Sequence, residues 1–84
     1  MSKAAQRAYT AIRDSIINGA YAPGMHLTES ELAEIVGVSR TPVHDALLRL
    51  KADGLIEMQR NQGARVKNYS DRDIDEIFEL RAYL

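Results

Sequence analysis

Arg40, Thr41 and His44 place a guanidinium, a hydroxyl and an imidazole within five residues of one another. On a helix these three lie away from Val43 and Leu47, so a polar face backs onto an apolar one. Hydrogen-bonding groups set this way can meet the edges of bases or the oxygens of phosphates. Reaction chemistry finds no comparable grouping. His26 and His44 match no metal-ligand spacing, and there is no cysteine to complete a site. Neither a Gly-x-Ser-x-Gly elbow nor a glycine-rich phosphate loop ending in Lys-Ser/Thr occurs. Thr28-x-x-Glu31 and the Asp71, Asp73 and Asp75 cluster read as helix caps rather than catalytic carboxylates. The expectation is a binding module that is not an enzyme and holds no cofactor or metal of its own.

The elements that must hold Arg40, Thr41 and His44 can be read from periodicity and caps. Ala5, Ala8, Tyr9, Ile12 and Ile16 form one apolar stripe, predicting a first helix from about Lys3 to Asn18, ended at Gly19. Pro23-Gly24 is a turn, and Met25-His26-Leu27 is a short extended segment with Leu27 buried. Thr28 and Glu31 make a capping box that opens a second helix with Leu32, Ala33, Ile35 and Val36 on its apolar side. Gly37 closes it, and Ser39 caps a third helix in which Pro42 is tolerated in the first turn. Val43, Ala46, Leu47 and Leu50 face the core, and Gly54 ends the helix. Two short helices joined through Gly37-Val38-Ser39 predict a helix-turn-helix whose second helix enters a DNA major groove. A plain helical hairpin needs the same caps and is the alternative.

After Gly54 the period shifts to two. Leu55–Met58 and Ala64–Val66 are strand candidates around a 59–63 linker containing asparagine and glycine. A hairpin following the recognition helix is a wing, with Arg60 at its tip and Arg65 on its return strand able to reach a minor groove or phosphates. A solvated hairpin with charges protecting its edge is the competing interpretation. Asn68-Tyr69 reads as a linker, and Ser70 as the cap of a fourth helix with Ile74, Ile77, Phe78 and Leu84 on its apolar side. The fold class is therefore mainly α with a small β-hairpin (α+β), a winged helix-turn-helix. Residues 1–67 form the DNA-binding domain. Residues 68–84 form a linker and the start of a helix belonging to a further, C-terminal domain or to a dimer contact.

Size and charge agree with a binding module. Eighty-four residues without cysteine bury roughly 60–65% of the unfolded surface, enough for one small core. No apolar run is long enough for a membrane span, and no membrane partner is expected. The net charge of −1 hides segregation: residues 39–67 hold six basic and three acidic side chains, and residues 68–84 two basic and five acidic. Local charge, not the sum, sets the field a partner meets.

In order and spacing, the chain resembles the DNA-binding domain of the GntR family of bacterial transcription regulators. The resemblance lies in Ile16-Ile17-Asn18-Gly19-Ala20-Tyr21-Ala22-Pro23-Gly24, Leu27-Thr28-Glu29-Ser30-Glu31-Leu32-Ala33 and Gly37-Val38-Ser39-Arg40-Thr41-Pro42-Val43. It continues through Ala46-Leu47-Leu48-Arg49-Leu50, Asp53-Gly54-Leu55-Ile56 and Asn61-Gln62-Gly63-Ala64-Arg65-Val66. The wing and the segment Asp73–Arg81 resemble the FadR-like (FCD) branch. There a helical C-terminal domain binds a small effector, often an organic acid, with or without a metal; any such ligand would belong to that domain and not to this chain.

The resemblance implies a cytoplasmic, homodimeric regulator, a repressor by preference, on a pseudo-palindromic double-stranded DNA operator. Its implied DNA contacts are Ser30, Ser39, Arg40, Thr41, His44, Arg49, Arg60, Asn61, Gln62 and Gly63. Arg49 can instead pair with Asp45 at i, i+4. Gly63 would let backbone approach the groove where no side chain intervenes. One departure stands out. The family pattern Pro-Val-Arg-Glu-Ala-Leu is here Pro42-Val43-His44-Asp45-Ala46-Leu47. An imidazole cannot grip guanine O6 and N7 bidentately as arginine does, a difference of about 1–3 kcal/mol at one base pair. His44 is expected to donate one hydrogen bond, strengthened by protonation between pH 7.5 and 6, or else to face solvent without a role. A winged helix used for protein–protein assembly is the remaining rival, and it predicts apolar exposed residues on the third helix.

Overall fold

A computed structural model describes residues 1–60 and 63–68. Asn61, Gln62 and the expected fourth helix lie outside the described residues. The elements are α1 (Lys3–Ile17), β1 (His26–Leu27), α2 (Glu29–Val36), α3 (Arg40–Ala52), β2 (Ile56–Gln59) and β3 (Gly63–Val66).

α1 and α2 each begin where a side chain replaces a missing intrahelical acceptor. Ser2 accepts from the Ala5 amide at α1, and Thr28 Oγ1 accepts from the Glu31 amide at α2 at 3.2 Å. At the other end of α2, Gly37 adopts φ 80° and its amide returns to the Ala33 carbonyl at 2.9 Å. That left-handed conformation is open to glycine without a Cβ clash, and it turns the chain sharply into α3. Val38 then packs against the core from inside the turn.

The core gathers Ala8, Ile12, Leu32, Val43, Ala46, Leu47 and Leu50 from the helices with Leu27, Ile56, Ala64 and Val66 from the sheet. α1 packs chiefly on α3, and α2 closes the bundle from the side. Ile35 departs from expectation: it is 69% exposed. It sits at the margin of the Leu32–Ala33–Val36 stripe and lines an open groove with Gln6, Arg7, Thr10 and Ala11 of α1. At roughly 100° per residue Ile35 falls about 60° outside the arc spanned by Leu32, Val36 and Ala33, on the side that faces this groove.

The hairpin is part of a three-stranded antiparallel sheet ordered β1-β3-β2. His26 and Leu27 pair with Arg65 and Ala64, while Ile56 to Gln59 pair with Val66 to Gly63. Gln59 and Gly63 thus belong to the strands rather than the linker, because the ladder continues one pair beyond the apolar alternation. Side chains alternate as period two requires: Ala64 and Val66 face the core, and Arg65 faces out between Glu57 and His26.

Candidate nucleic-acid interface

α3 positions the polar set through its own amphipathicity. Val43, Ala46, Leu47 and Leu50 are fully buried, which fixes the rotation of the helix and leaves Arg40, Thr41 and His44 exposed on its other side. Lys51 shares that exposed surface, and so does Leu48, 46% exposed, an apolar side chain that the sequence pattern did not single out. An exposed apolar side chain on this helix is what a protein-binding winged helix would show, but here it is one large apolar group among Arg40, Thr41, His44 and Lys51.

Ser39 occupies the cap position of α3 with extended backbone, φ −76° and ψ 171°, yet its hydroxyl makes no cap hydrogen bond. A capping serine bonds the amide of the second or third helical residue; the third here is Pro42, which has none, and the hydroxyl does not take the Thr41 amide either. The expected cap is therefore absent, and the Ser39 hydroxyl is left at the exposed start of the helix, where amide dipoles favour an anion.

Behind this face stands a residue whose part the sequence did not disclose. Glu29, the first residue of α2, has a side chain only 23% exposed. Its Oε1 lies 2.6 Å from His44 Nδ1, and its Oε2 lies 3.7 Å from an Arg40 amino group. One carboxylate thus holds two members of the face, and it does so from the other helix of the motif. Fifteen residues separate Glu29 from His44, so no local spacing rule could have joined them. Ser30, the next residue, is exposed in the first turn of α2.

Arg49 belongs to a different flank. It lies roughly 140° around the helix from His44. Its Nε is 3.4 Å from Asp53 Oδ1, and its guanidinium lies 5.8 Å from the centre of the Tyr9 ring. The helical ion pair therefore runs forward to Asp53, not back to Asp45. Forward pairing leaves the arginine near the last turn of α3, where it also complements the helix dipole.

On the wing, Arg60 is exposed at the tip and Arg65 on the return strand. Gly63 adopts φ 74°, and a Cβ there would come within 2.8 Å of the Leu27 carbonyl oxygen. Its lack of a side chain thus has an internal cause, the close passage of β1, beside any approach to DNA. Among the described residues no group of His, Asp and Glu could hold a metal ion, and no helix is long and apolar enough to cross a membrane.

The model of the bacterial regulatory proteins of the gntR family matches residues 4–66. This chain belongs to the GntR family. It is 42% identical over 73 residues to an uncharacterized HTH-type transcriptional regulator from the TAR-I ttuE-ttuC' intergenic region of Agrobacterium vitis, covering 87% of the chain and 43% of that protein. It is 44% identical over 71 residues to the Uxu operon transcriptional regulator of Escherichia coli, covering 79% of the chain and 28% of that protein. Among solved structures, E. coli McbR/YncC superposes with a TM-score of 0.83 at 32% identity, over 96% of the chain and 38% of that structure. The GntR domain described here thus spans less than half the length of these relatives. Its architecture is the winged helix-turn-helix of a family of DNA-binding transcription regulators.

Proposed function

We propose that this GntR chain is the operator-reading module of a homodimeric transcription regulator, acting as a repressor by occupying a pseudo-palindromic site. The observation that supports it most is the exposed row Ser39, Arg40, Thr41 and His44, backed by the fully buried Val43, Ala46, Leu47 and Leu50. Such a helix start is what a major groove accepts: Arg40 and Thr41 meet base edges, and Ser39 and Ser30 meet phosphates. Arg60, Asn61, Gln62 and Gly63 follow the adjacent backbone or minor groove. Arg49 serves the fold, through Asp53 and Tyr9. Two copies on a two-fold site supply the contacts that one small domain lacks. Effector sensing, by an organic acid with or without a metal, falls to a C-terminal domain, and the regulator works in the cytoplasm.

The test is selection from a randomised duplex pool at about 50 and 200 mM salt. An enriched two-fold motif is expected, with a log–log salt slope of about −5 to −7 if each subunit neutralises three or four phosphates. Absence of binding at low salt would overturn the reading and favour a protein-binding winged helix.

A further inference from the structure

We propose that Glu29 determines which base His44 reads, by holding the ring with its proton on Nδ1 and leaving Nε2 as a hydrogen-bond acceptor. The proposal deepens the DNA-binding reading above and rests on it. An ionised carboxylate can only accept hydrogen bonds, so the 2.6 Å contact from Glu29 Oε1 requires a proton on His44 Nδ1. A neutral imidazole carries one such proton. Its other nitrogen, Nε2, is then a lone pair, and the hydrogen bond made by one nitrogen fixes the role of the other.

The imidazole stands on the exposed face of the recognition helix, with its side chain 48% exposed, and Glu29 of α2 occupies Nδ1. Nε2 is therefore the nitrogen left to meet a base. Guanine offers only acceptors in the major groove, O6 and N7, so a lone pair on Nε2 faces lone pairs there. Adenine N6 and cytosine N4 offer an amino hydrogen that Nε2 accepts. The position that an arginine would read as guanine is thus read here as adenine or cytosine. Glu29 touches no base in this scheme; it is a positioning residue that acts through His44. It also holds Arg40, one turn earlier, so the two readers share one support.

Two measurements at pH 8 decide the matter. The first is the ring nitrogen NMR spectrum of His44 in the free 84-residue chain. A protonated Nδ1 with a bare Nε2 is expected, and a protonated Nε2 overturns the proposal without any variant or DNA. The second is binding to duplexes carrying each base at the one operator position whose preference disappears in His44→Ala. Adenine or cytosine should exceed guanine there by about 3- to 10-fold. Glu29→Ala frees the ring to carry its proton on Nε2 and should shift the preference toward guanine, and His44→Arg should do so more strongly. Equal tightening at all four bases in Glu29→Ala, with the preference unchanged, overturns the proposal, because that is the effect of removing a negative charge alone. Guanine preferred by the unaltered chain overturns it while leaving the DNA reading intact. Binding to no duplex overturns both.

Discussion

The Tyr9 hydroxyl donates a hydrogen bond to Asp53 Oδ2, tying the second turn of α1 to the residue that closes α3. Arg13 and Arg49 lie 5.5 and 5.8 Å from the centre of the same ring. α3 is therefore held at its C-terminal end by a polar cluster, as Glu29 holds Arg40 and His44 near its start. The Tyr9 hydrogen bond, aided by the Arg49 charge against the cost of desolvation, holds the Asp53 carboxyl below its ordinary range. A group depressed on folding contributes stability that is complete above the ordinary carboxylate range and is lost as pH falls through the folded value. Tyr9→Phe should thus lower Tm at pH 7, and the gap from the unaltered chain should narrow in acid. NMR titration of the Asp53 carboxyl should show its midpoint rising in the variant. An unchanged midpoint would mean that the phenol is not its main partner.

Gly63→Ala should destabilise the fold by about 1–3 kcal/mol, from a left-handed conformation and from crowding against the Leu27 carbonyl. Urea unfolding should show the midpoint falling with little change in slope. A loss of DNA affinity with the midpoint intact would assign the glycine to the groove instead.

Thr28→Ala and Ser39→Ala should separate two serine-like caps by function. Thr28 accepts from the Glu31 amide, so its loss should cost about 1 kcal/mol of stability. Ser39 makes no cap bond, so its loss should change stability by less than about 0.5 kcal/mol. Its operator affinity should nevertheless fall by about tenfold if the hydroxyl meets a phosphate. Parallel urea and binding curves for the two variants check this, and equal stability losses would show that Ser39 caps α3 after all.

Arg60→Ala should reduce the magnitude of the salt slope by about one per subunit and weaken all sequences alike. Arg49→Ala should leave the slope unchanged and lower stability, since its partners are Asp53 and Tyr9. Arg40→Ala should relax preference at one base pair at a cost of about 1–3 kcal/mol. Salt titrations on matched and mismatched duplexes distinguish the three outcomes.

Much of this architecture was legible because it is written in local chemistry. Thr28 before Glu31, glycine at 37 and the Val43–Leu50 spacing each obey rules that operate within one or two turns. Where two rules used the same atom, the sequence misled. Ser39 has the right type for a cap, but Pro42 removes one of the two amides it could bind and the hydroxyl takes neither. Ile35 lies near the apolar stripe of α2, but about 60° beyond Leu32, past the edge that α1 and α3 cover. Arg49 chose between two carboxylates by three-dimensional packing against Tyr9, which lies forty residues earlier. Glu29 is the clearest case. It stands inside the Thr28–Glu31 capping box with no part of its own in it, and its contact with His44 exists only once α2 and α3 have been set at their angle. Among the candidate site residues, those on α3 followed from periodicity; what they rest against did not.

β3 is the middle strand of its sheet, paired with β1 on one edge and β2 on the other. The returning half of the wing is consequently moored to chain that precedes the helix-turn-helix as well as to its own hairpin partner. Residues joining Gln59 to Gly63 can be added or removed while the register of all three strands stays pinned by Leu27 and Ile56. The length of the hairpin is thereby separable from the integrity of the domain, and a lineage can extend it without renegotiating its core.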